Sequence, residues 1–132
     1  MPQTGRVLLD TNVVIALFAG EVSVLAGLTA ADAVFVPAVV VGELYYGAHK
    51  SGRPAENIAR VTALAIQTAV LPCDATTAAL YGEVKALLRA RGTPIPENDV
   101  WIAALARQHA LTLVTRDAHF DRVPGVELAR WE

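Results

Sequence analysis

Two aspartates stand where buried strands are predicted to end. Arg6–Asp10 (RVLLD) is a short apolar run that closes on an acid, and Asp117 lies two residues past the end of Leu111–Thr115. Ligands of an open parallel sheet bind beyond the carboxyl ends of its strands, so both acids are expected where a site forms. Each acid alone is more simply explained as a structural residue, Asp10 as a helix N-cap and Asp117 as a turn residue.

A third acid, Glu43, lies in an almost wholly apolar segment predicted to be helical. Its neighbours Val39–Gly42 and Leu44–Gly47 include no basic residue. A carboxylate there either follows a narrow solvent face or is buried with a partner, because an unpaired buried charge is very costly. A bound cation is an economical partner, and both explanations stay open.

The fourth acid, Asp99, opens a predicted helix, where an acid in the first turn complements the helix dipole. Taken together, however, the four acids form a constellation with a shared chemistry. Carboxylate oxygens suit the hard cations Mg²⁺ and Mn²⁺, which typically act on phosphate substrates. Without a cation, four clustered carboxylates would repel one another and hold protons. A cation site is therefore predicted from Asp10, Glu43, Asp99 and Asp117.

Short apolar runs alternate with helical stretches, which predicts an α/β domain with a central, largely parallel sheet. Asp10, Thr11 and Asn12 are expected to cap the first helix. The predicted strands are Arg6–Asp10, Ala33–Val36, Val70–Leu71, Leu111–Thr115 and Val126–Ala129. The predicted helices run from the cap to Phe18, and over Glu21–Ala31, Pro37–Lys50, Ala55–Thr68, Asp74–Arg91 and Glu97–His109.

Length and composition limit the architecture and the partners. The 132 residues are predicted to form a single domain spanning 1–132. The hydrophobic fraction of 54% predicts a dense core with an apolar surface patch, which favours dimerisation or capture by another protein. The net charge of −2 provides no global basic field for nucleic acid, so local basic residues or a bound cation must attract such a substrate.

A cytoplasmic location is expected, without a membrane partner. Cys73 is the only cysteine, so an intrachain disulfide is impossible and a reducing compartment fits. The longest apolar run, Ala33–Val41, is broken by Pro37 and is too short to span a bilayer. The N-terminal segment lacks the pattern of a signal peptide.

Four segments resemble, in order and spacing, the four motifs of PIN domains. Each motif is weak alone, but the series covers essentially all of Arg6–Trp131, and the third and fourth resemble the VapC-type toxins of bacterial toxin–antitoxin pairs. The segments are Leu8–Ile15 (LLDTNVVI), Val40–Ala48 (VVGELYYGA), Ile95–Ala104 (IPENDVWIAA) and Leu113–Phe120 (LVTRDAHF).

The resemblance implies a three-layer α/β/α PIN-like fold in which Asp10, Glu43, Asp99 and Asp117 bind Mg²⁺ or Mn²⁺. It implies a hydrolase that cleaves RNA internally, by attack of a metal-activated water on a phosphodiester. It also implies a homodimer that is neutralised by a small cognate antitoxin. The position of Asp117 varies between Asp and Asn in the family, so this residue binds metal either directly or through water.

The same resemblance places Thr11, Asn12 and Thr115 behind the acids, where they would orient the carboxylates. Glu97 is an additional acid near the third motif. We interpret Glu97 as a helix cap.

Three further residues are candidates for RNA contact. Tyr46 and Lys50 follow Glu43 by three and seven residues on a predicted helix, so they share its face. There Tyr46 would stack on an unpaired base and Lys50 would contact a phosphate, unless Tyr46 belongs to the core and Lys50 is a solvated helix end. Arg116, beside Asp117, is placed either to contact a phosphate or to pair with the acids.

The remaining candidates have simpler explanations. His49, His109 and His119 could suggest metal-free general acid–base cleavage, but none has an evident partner in the sequence, so they are interpreted as surface residues. Trp101 and Trp131 are interpreted as packing or dimer residues.

Two alternative functions stay open. In a Mg²⁺-dependent phosphotransferase or receiver-like domain, Asp10 would be phosphorylated, although Asn12 stands where one such family has a second acid. A catalytically inert PIN domain would act only in protein binding. Metal-dependent cleavage of RNA separates these alternatives from the nuclease.

Overall fold

Five strands and six helices alternate along residues 5–132, the part of the chain that the computed structural model describes. The strands are β1 (Arg6–Leu9), β2 (Ala33–Pro37), β3 (Ala69–Leu71), β4 (Thr112–Val114) and β5 (Leu128–Ala129). The helices are α1 (Thr11–Phe18), α2 (Val22–Ala30), α3 (Ala38–His49), α4 (Pro54–Gln67), α5 (Ala75–Ala90) and α6 (Glu97–His109). Every predicted element is present, with ends that shift by a few residues.

The strands form one sheet in the order β3-β2-β1-β4-β5, and all four neighbouring pairs are parallel. β1 lies in the middle, where Val7 is in register with Val34 of β2 and with Thr112 of β4. The predicted parallel sheet is confirmed, and it is wholly rather than largely parallel. A receiver-like domain has the order 2-1-3-4-5, so the topology contradicts the receiver-like alternative.

Helices cover both faces of the sheet. Successive side chains of a strand point to opposite faces. Val7, Leu8 and Leu9 of β1 are all 1% exposed or less, so both faces of the central strand are buried. This is the three-layer α/β/α arrangement predicted for the chain.

Local sequence explains where several helices begin. Asp10 caps α1, accepting a hydrogen bond from the Thr11 backbone N–H, and Asp74 forms a capping box with Thr77 at α5. Pro54 opens α4, where its missing N–H has no cost.

The two tryptophans take part in packing, as predicted. Trp131 is buried against α2, where a Cβ at Gly27 would overlap the indole ring, so only glycine fits there. Trp101 of α6 stacks on Tyr81 of α5, with ring centroids 4.1 Å apart.

Among residues 5–132, no single helix is both long and apolar enough to cross a membrane. By length and composition α1 and α2 meet that test only as a pair, and they are bent by 111° at the break between them.

Candidate metal centre

The centre of the sheet is a topological switch point. From β1 the chain moves outward through β2 to β3, and it then returns to place β4 on the other side of β1. Ligands bind at the carboxyl ends of the two strands that flank such a point. Asp10 follows β1 there, and the segment Thr115–Asp117 follows β4. The fold therefore brings together residues that are more than a hundred positions apart.

Asp10 is a buried carboxylate that is held by hydrogen bonds. It is 5% exposed, and it accepts bonds from the Thr115 hydroxyl at 2.7 Å and from the Thr11 backbone N–H at 2.8 Å. Burial raises the pKa of Asp10, the Thr115 and Thr11 bonds oppose that rise, and the nearby charge of Asp117 adds to it. Burial thus makes the charged form of this carboxylate costly.

Asp99 lies in the first turn of α6 and faces the same site. Burial raises the pKa of Asp99 to about 6, and the negative charges of Asp10 and Asp117 contribute to the rise. A hydrogen bond with His119 acts in the opposite direction. The raised pKa of Asp99 therefore reflects its burial first and its acidic neighbours second.

Asp117 and His119 complete this part of the site. The Asp117 backbone N–H donates to the Thr115 hydroxyl at 3.0 Å, and its carboxylate caps a short 3₁₀ helix, Ala118–Arg122. His119 Nδ1 lies 2.9 Å from Asp117 Oδ1 and 3.3 Å from Asp99 Oδ2. One donor atom from each of these three side chains lies within 4.8 Å of the others, as ligands of one ion must.

Glu43 is linked to the cluster through Thr11. Glu43 of α3 is exposed. Of the two explanations that the sequence left open, the structure therefore agrees with a solvent-facing carboxylate rather than a buried one. Its Oε1 accepts a hydrogen bond from the Thr11 hydroxyl at 3.1 Å, while the Thr11 backbone binds Asp10. The same threonine therefore contacts both carboxylates.

Asn12 and Thr115 connect the loops that follow β1 and β4. The Asn12 amide lies 3.5 Å from Asp10 Oδ2 and accepts from the Arg116 backbone N–H at 3.3 Å. The Thr115 hydroxyl binds both Asp10 and the Asp117 backbone. The three residues expected behind the acids thus lie against them.

The donor set fits a hard divalent cation. Within residues 5–132, neither Asp10 nor Glu43 forms an ion pair with a basic side chain. Burial, and to a smaller extent the neighbouring acids, raises the pKa values of Asp10 and Asp99, so the charged forms have a cost that a cation would offset. Oxygen donors at this density suit Mg²⁺ or Mn²⁺.

His119 is partly exposed at the surface, with its side chain 41% exposed, but the expectation that it has no partner is wrong. That expectation was based on sequence neighbours alone, whereas its partner Asp99 belongs to another helix. The available signal was the spacing of His119 two residues after Asp117, which in a tight turn returns the ring toward that carboxylate.

The other candidates lie away from the acids. Arg116 forms a two-pronged ion pair with Glu21, at 2.8 and 3.2 Å, and donates to the Trp131 carbonyl at 2.7 Å, so it does not pair with the acids. Glu97 is in the first turn of α6 but is not its cap residue; it pairs with Lys85 at 2.8 Å.

Tyr46 is exposed on α3 and therefore does not belong to the core, and Lys50 is exposed at the C-cap of the same helix, where it also fits a solvated helix end. Tyr46 is 67% exposed, and the Lys50 ammonium lies 4.8 Å from the centre of its ring. Beside them an apolar groove of about 300 Å³ runs between α1, α3 and α4. Its lining comprises Thr11, Ile15, Phe18, Glu43, Leu44, Gly47, Ala48, Asn57, Arg60 and Val61.

A parallel sheet with carboxylates at its switch point is typical of α/β proteins that act on phosphate esters with divalent cations. Residues 7–126 match the family described as PIN domain. The chain belongs to the PIN domain family, as its four motifs predicted.

Curated relatives and solved structures agree with this assignment. The chain is 36% identical over 129 residues to Ribonuclease VapC2 of Haemophilus influenzae, covering 96% of this chain and 98% of the relative. It is 34% identical over 97 residues to the tRNA(fMet)-specific endonuclease VapC of Salmonella typhimurium, covering 73% and 74% of the two chains. The fold matches a crystal structure of VapBC2 from Rickettsia felis bound to a promoter DNA fragment, with a TM-score of 0.89 and 26% identity over 96% of this chain and 99% of that one.

Proposed function

We propose that this protein is a Mg²⁺-dependent endoribonuclease and the toxin of a type II toxin–antitoxin pair, with Mn²⁺ able to substitute. The convergence of Asp10, Asp99 and Asp117 at the switch point, with Glu43 joined through Thr11, carries the proposal. The similarity to VapC ribonucleases supports RNA as the substrate.

In this proposal Asp10, Glu43, Asp99 and Asp117 hold the cation. When bound, the cation polarises a phosphoryl oxygen and lowers the pKa of the attacking water. Thr115 and Thr11 fix the Asp10 carboxylate, so its oxygens need no rearrangement on binding. Asp117 acts directly or through water, and its capping bond to the His119 backbone sets its orientation.

RNA hydrolysis is expected to require Mg²⁺ or Mn²⁺ and to stop in EDTA. The products should carry a 5′-phosphate and a 3′-hydroxyl, because water rather than the ribose 2′-hydroxyl attacks the phosphodiester. The measurement is end-specific ligation of the fragments formed from total RNA.

Two results would contradict this function. Cleavage that persists in EDTA or leaves 2′,3′-cyclic phosphates would exclude the metal-dependent mechanism. Purified protein that binds Mg²⁺ but leaves every RNA intact would favour the inert, protein-binding alternative.

Tyr46 and Lys50 are proposed to hold single-stranded RNA beside the acids, whereas Arg116 would first have to leave Glu21. Stacking of a base on an aromatic ring contributes ~1–3 kcal/mol, so Tyr46→Ala should raise KM by about tenfold with little change in kcat. Tyr46→Phe keeps the ring and should behave as wild type. Equal losses in both variants would show that the hydroxyl matters rather than stacking.

The partner proposed for the groove between α1, α3 and α4 is the cognate antitoxin. The toxin itself is proposed to be a homodimer. The antitoxin would contribute apolar anchors to the groove and an Arg or Lys directed into the acidic cluster. Gly47 lines the groove and Gly82 lies on α5, and each has open space beyond its Cα. Gly47→Tyr should therefore weaken antitoxin binding by about tenfold or more, whereas Gly82→Tyr should not.

A basic residue among the acids would also compete with the cation. Antitoxin affinity is expected to be higher in EDTA than in saturating Mg²⁺, measured by calorimetry with the intact antitoxin. A complex whose inhibitor leaves the acidic cluster empty would refute the basic-residue element of this prediction, although not inhibition itself.

A further inference from the structure

His119 lies between two carboxylates of the metal centre. Its Nδ1 is 2.9 Å from Asp117 Oδ1 and 3.3 Å from Asp99 Oδ2. The backbone fixes this position, because the His119 N–H donates to Asp117 Oδ1 at 2.9 Å in the first turn of the 3₁₀ helix Ala118–Arg122. The ring therefore faces the site as a consequence of how the turn is capped.

The spacing of the donor atoms is that of ligands around one ion. In an octahedral site with ligands at about 2.0–2.1 Å, neighbouring ligand atoms are about 3.0 Å apart and opposite ones about 4.2 Å apart. The two nitrogen–oxygen separations of 2.9 and 3.3 Å match neighbouring positions. The donor atoms of Asp99, Asp117 and His119 all lie within 4.8 Å of one another, which is close to the span of one coordination sphere.

We propose that His119 Nδ1 is itself a metal ligand, together with Asp99 and Asp117. This inference rests on the proposed function, in which a divalent cation binds at this site. With Nδ1 on the metal, the imidazole is neutral and Nε2 carries its proton.

A nitrogen ligand changes which ion the centre prefers. Mg²⁺ favours sites made only of oxygen, whereas imidazole suits transition metals, whose affinities rise from Mn²⁺ along the series. The site therefore favours Mn²⁺ over Mg²⁺ more strongly than four carboxylates alone would. If His119 only oriented the two carboxylates by hydrogen bonding, its loss would lower the affinity for Mg²⁺ and for Mn²⁺ by similar factors.

The test uses Mn²⁺ as a spectroscopic probe of the intact protein. Pulsed electron paramagnetic resonance of the Mn²⁺-loaded wild type should show coupling to a ¹⁴N nucleus, replaced by a ¹⁵N signal after labelling with ¹⁵N-histidine. The coupling should disappear in His119→Gln and persist in His109→Gln, whose histidine lies in the last turn of α6. The preference for Mn²⁺ over Mg²⁺ should fall by roughly tenfold or more in His119→Gln only.

The possible failures are distinguishable. Wild type that binds Mn²⁺ without nitrogen coupling would overturn the role of His119 while leaving the metal-dependent nuclease intact. Wild type that binds no Mn²⁺ would overturn both. The wild-type spectrum decides the matter even if His119→Gln folds poorly.

Discussion

Asp99→Asn is expected to abolish most RNA cleavage while leaving the metal-free protein at least as stable as wild type. Asparagine keeps the size and polarity of the side chain but removes one charge from the cluster. Residues that merely orient metal ligands contribute about 10- to 100-fold, so loss of a ligand should cost roughly a hundredfold or more in activity.

The stability gain follows from the pKa of Asp99, which burial and the charge of Asp10 raise from 3.8 to about 6. An acid with a raised pKa binds its proton more tightly in the folded state, so the free energy of unfolding falls as pH rises from about 4 to 6. The rise in pKa to about 6 corresponds to a loss of roughly 3 kcal/mol in the free energy of unfolding. The full loss is reached above pH 6. In EDTA, the free energy of unfolding of Asp99→Asn should exceed that of wild type by the largest amount at pH 8 and by the smallest near pH 4. Urea unfolding measures this difference.

In the presence of Mg²⁺, wild type should become the more stable of the two proteins. Binding to the native state raises the melting temperature of wild type by mass action, and Asp99→Asn should lose most of that rise. Asp32→Asn is a matched control, since Asp32 is exposed and precedes β2 at the opposite end of the sheet. If Asp99→Asn retains the full metal-induced shift and still cuts RNA, Asp99 is only a first-turn helix residue.

Thr115→Val is expected to damage both stability and activity, although Thr115 contacts no substrate in the proposed mechanism. Thr115 is 2% exposed, and its hydroxyl donates to Asp10 Oδ2 at 2.7 Å and accepts from the Asp117 backbone N–H at 3.0 Å. Valine has nearly the same shape and offers neither bond. Leaving buried polar groups unsatisfied should lower the free energy of unfolding by about 1–3 kcal/mol.

The pH dependence identifies the cause of that loss. The Thr115 bond lowers the pKa of Asp10 against the effect of burial, so its removal raises that pKa further. The stability lost in Thr115→Val should therefore increase as the pH rises, because a higher pH favours the charged form of Asp10 that the hydroxyl stabilises. Cleavage should fall by roughly 10- to 100-fold as Asp10 loses its orientation.

Two variants isolate the hydroxyl of Thr115. Thr115→Ser restores a hydroxyl and should recover most of the activity. Thr112→Val removes a hydroxyl from β4, the strand that ends just before Thr115. The Thr112 hydroxyl makes only a long bond to Glu127, at 3.5 Å, so its loss should have little effect. If Thr115→Val and Thr112→Val changed stability and cleavage to the same extent, the hydrogen bond between Thr115 and Asp10 would have no special role.

The acids could be predicted because their positions follow from local rules. Asp10 follows a buried apolar strand and caps the next helix. Its position could therefore be predicted from the end of the strand and from the helix cap alike. The alternation of strands and helices likewise predicts a parallel sheet, whose strand ends must meet at one edge.

His119 and Arg116 could not be placed from the sequence because their partners are distant along the chain. Arg116 follows the motif threonine, but its side chain reaches Glu21, 95 positions earlier. His119 meets Asp99 across 20 positions, through a 3₁₀ turn that hydrophobic periodicity does not reveal. Such pairings depend on how loops pack after the sheet has formed.

The central position of β1 has a consequence for synthesis on the ribosome. The Thr115–Asp10 bond joins residues 105 positions apart, and β4 pairs directly with β1. Chains grow at about 5–20 residues per second, so β1 waits several seconds or more for the strand that completes the site. A nascent chain released before β4 is made carries at most Asp10, Glu43 and Asp99, and it lacks Asp117 and His119. Incomplete translation products of this protein therefore cannot assemble the proposed metal centre.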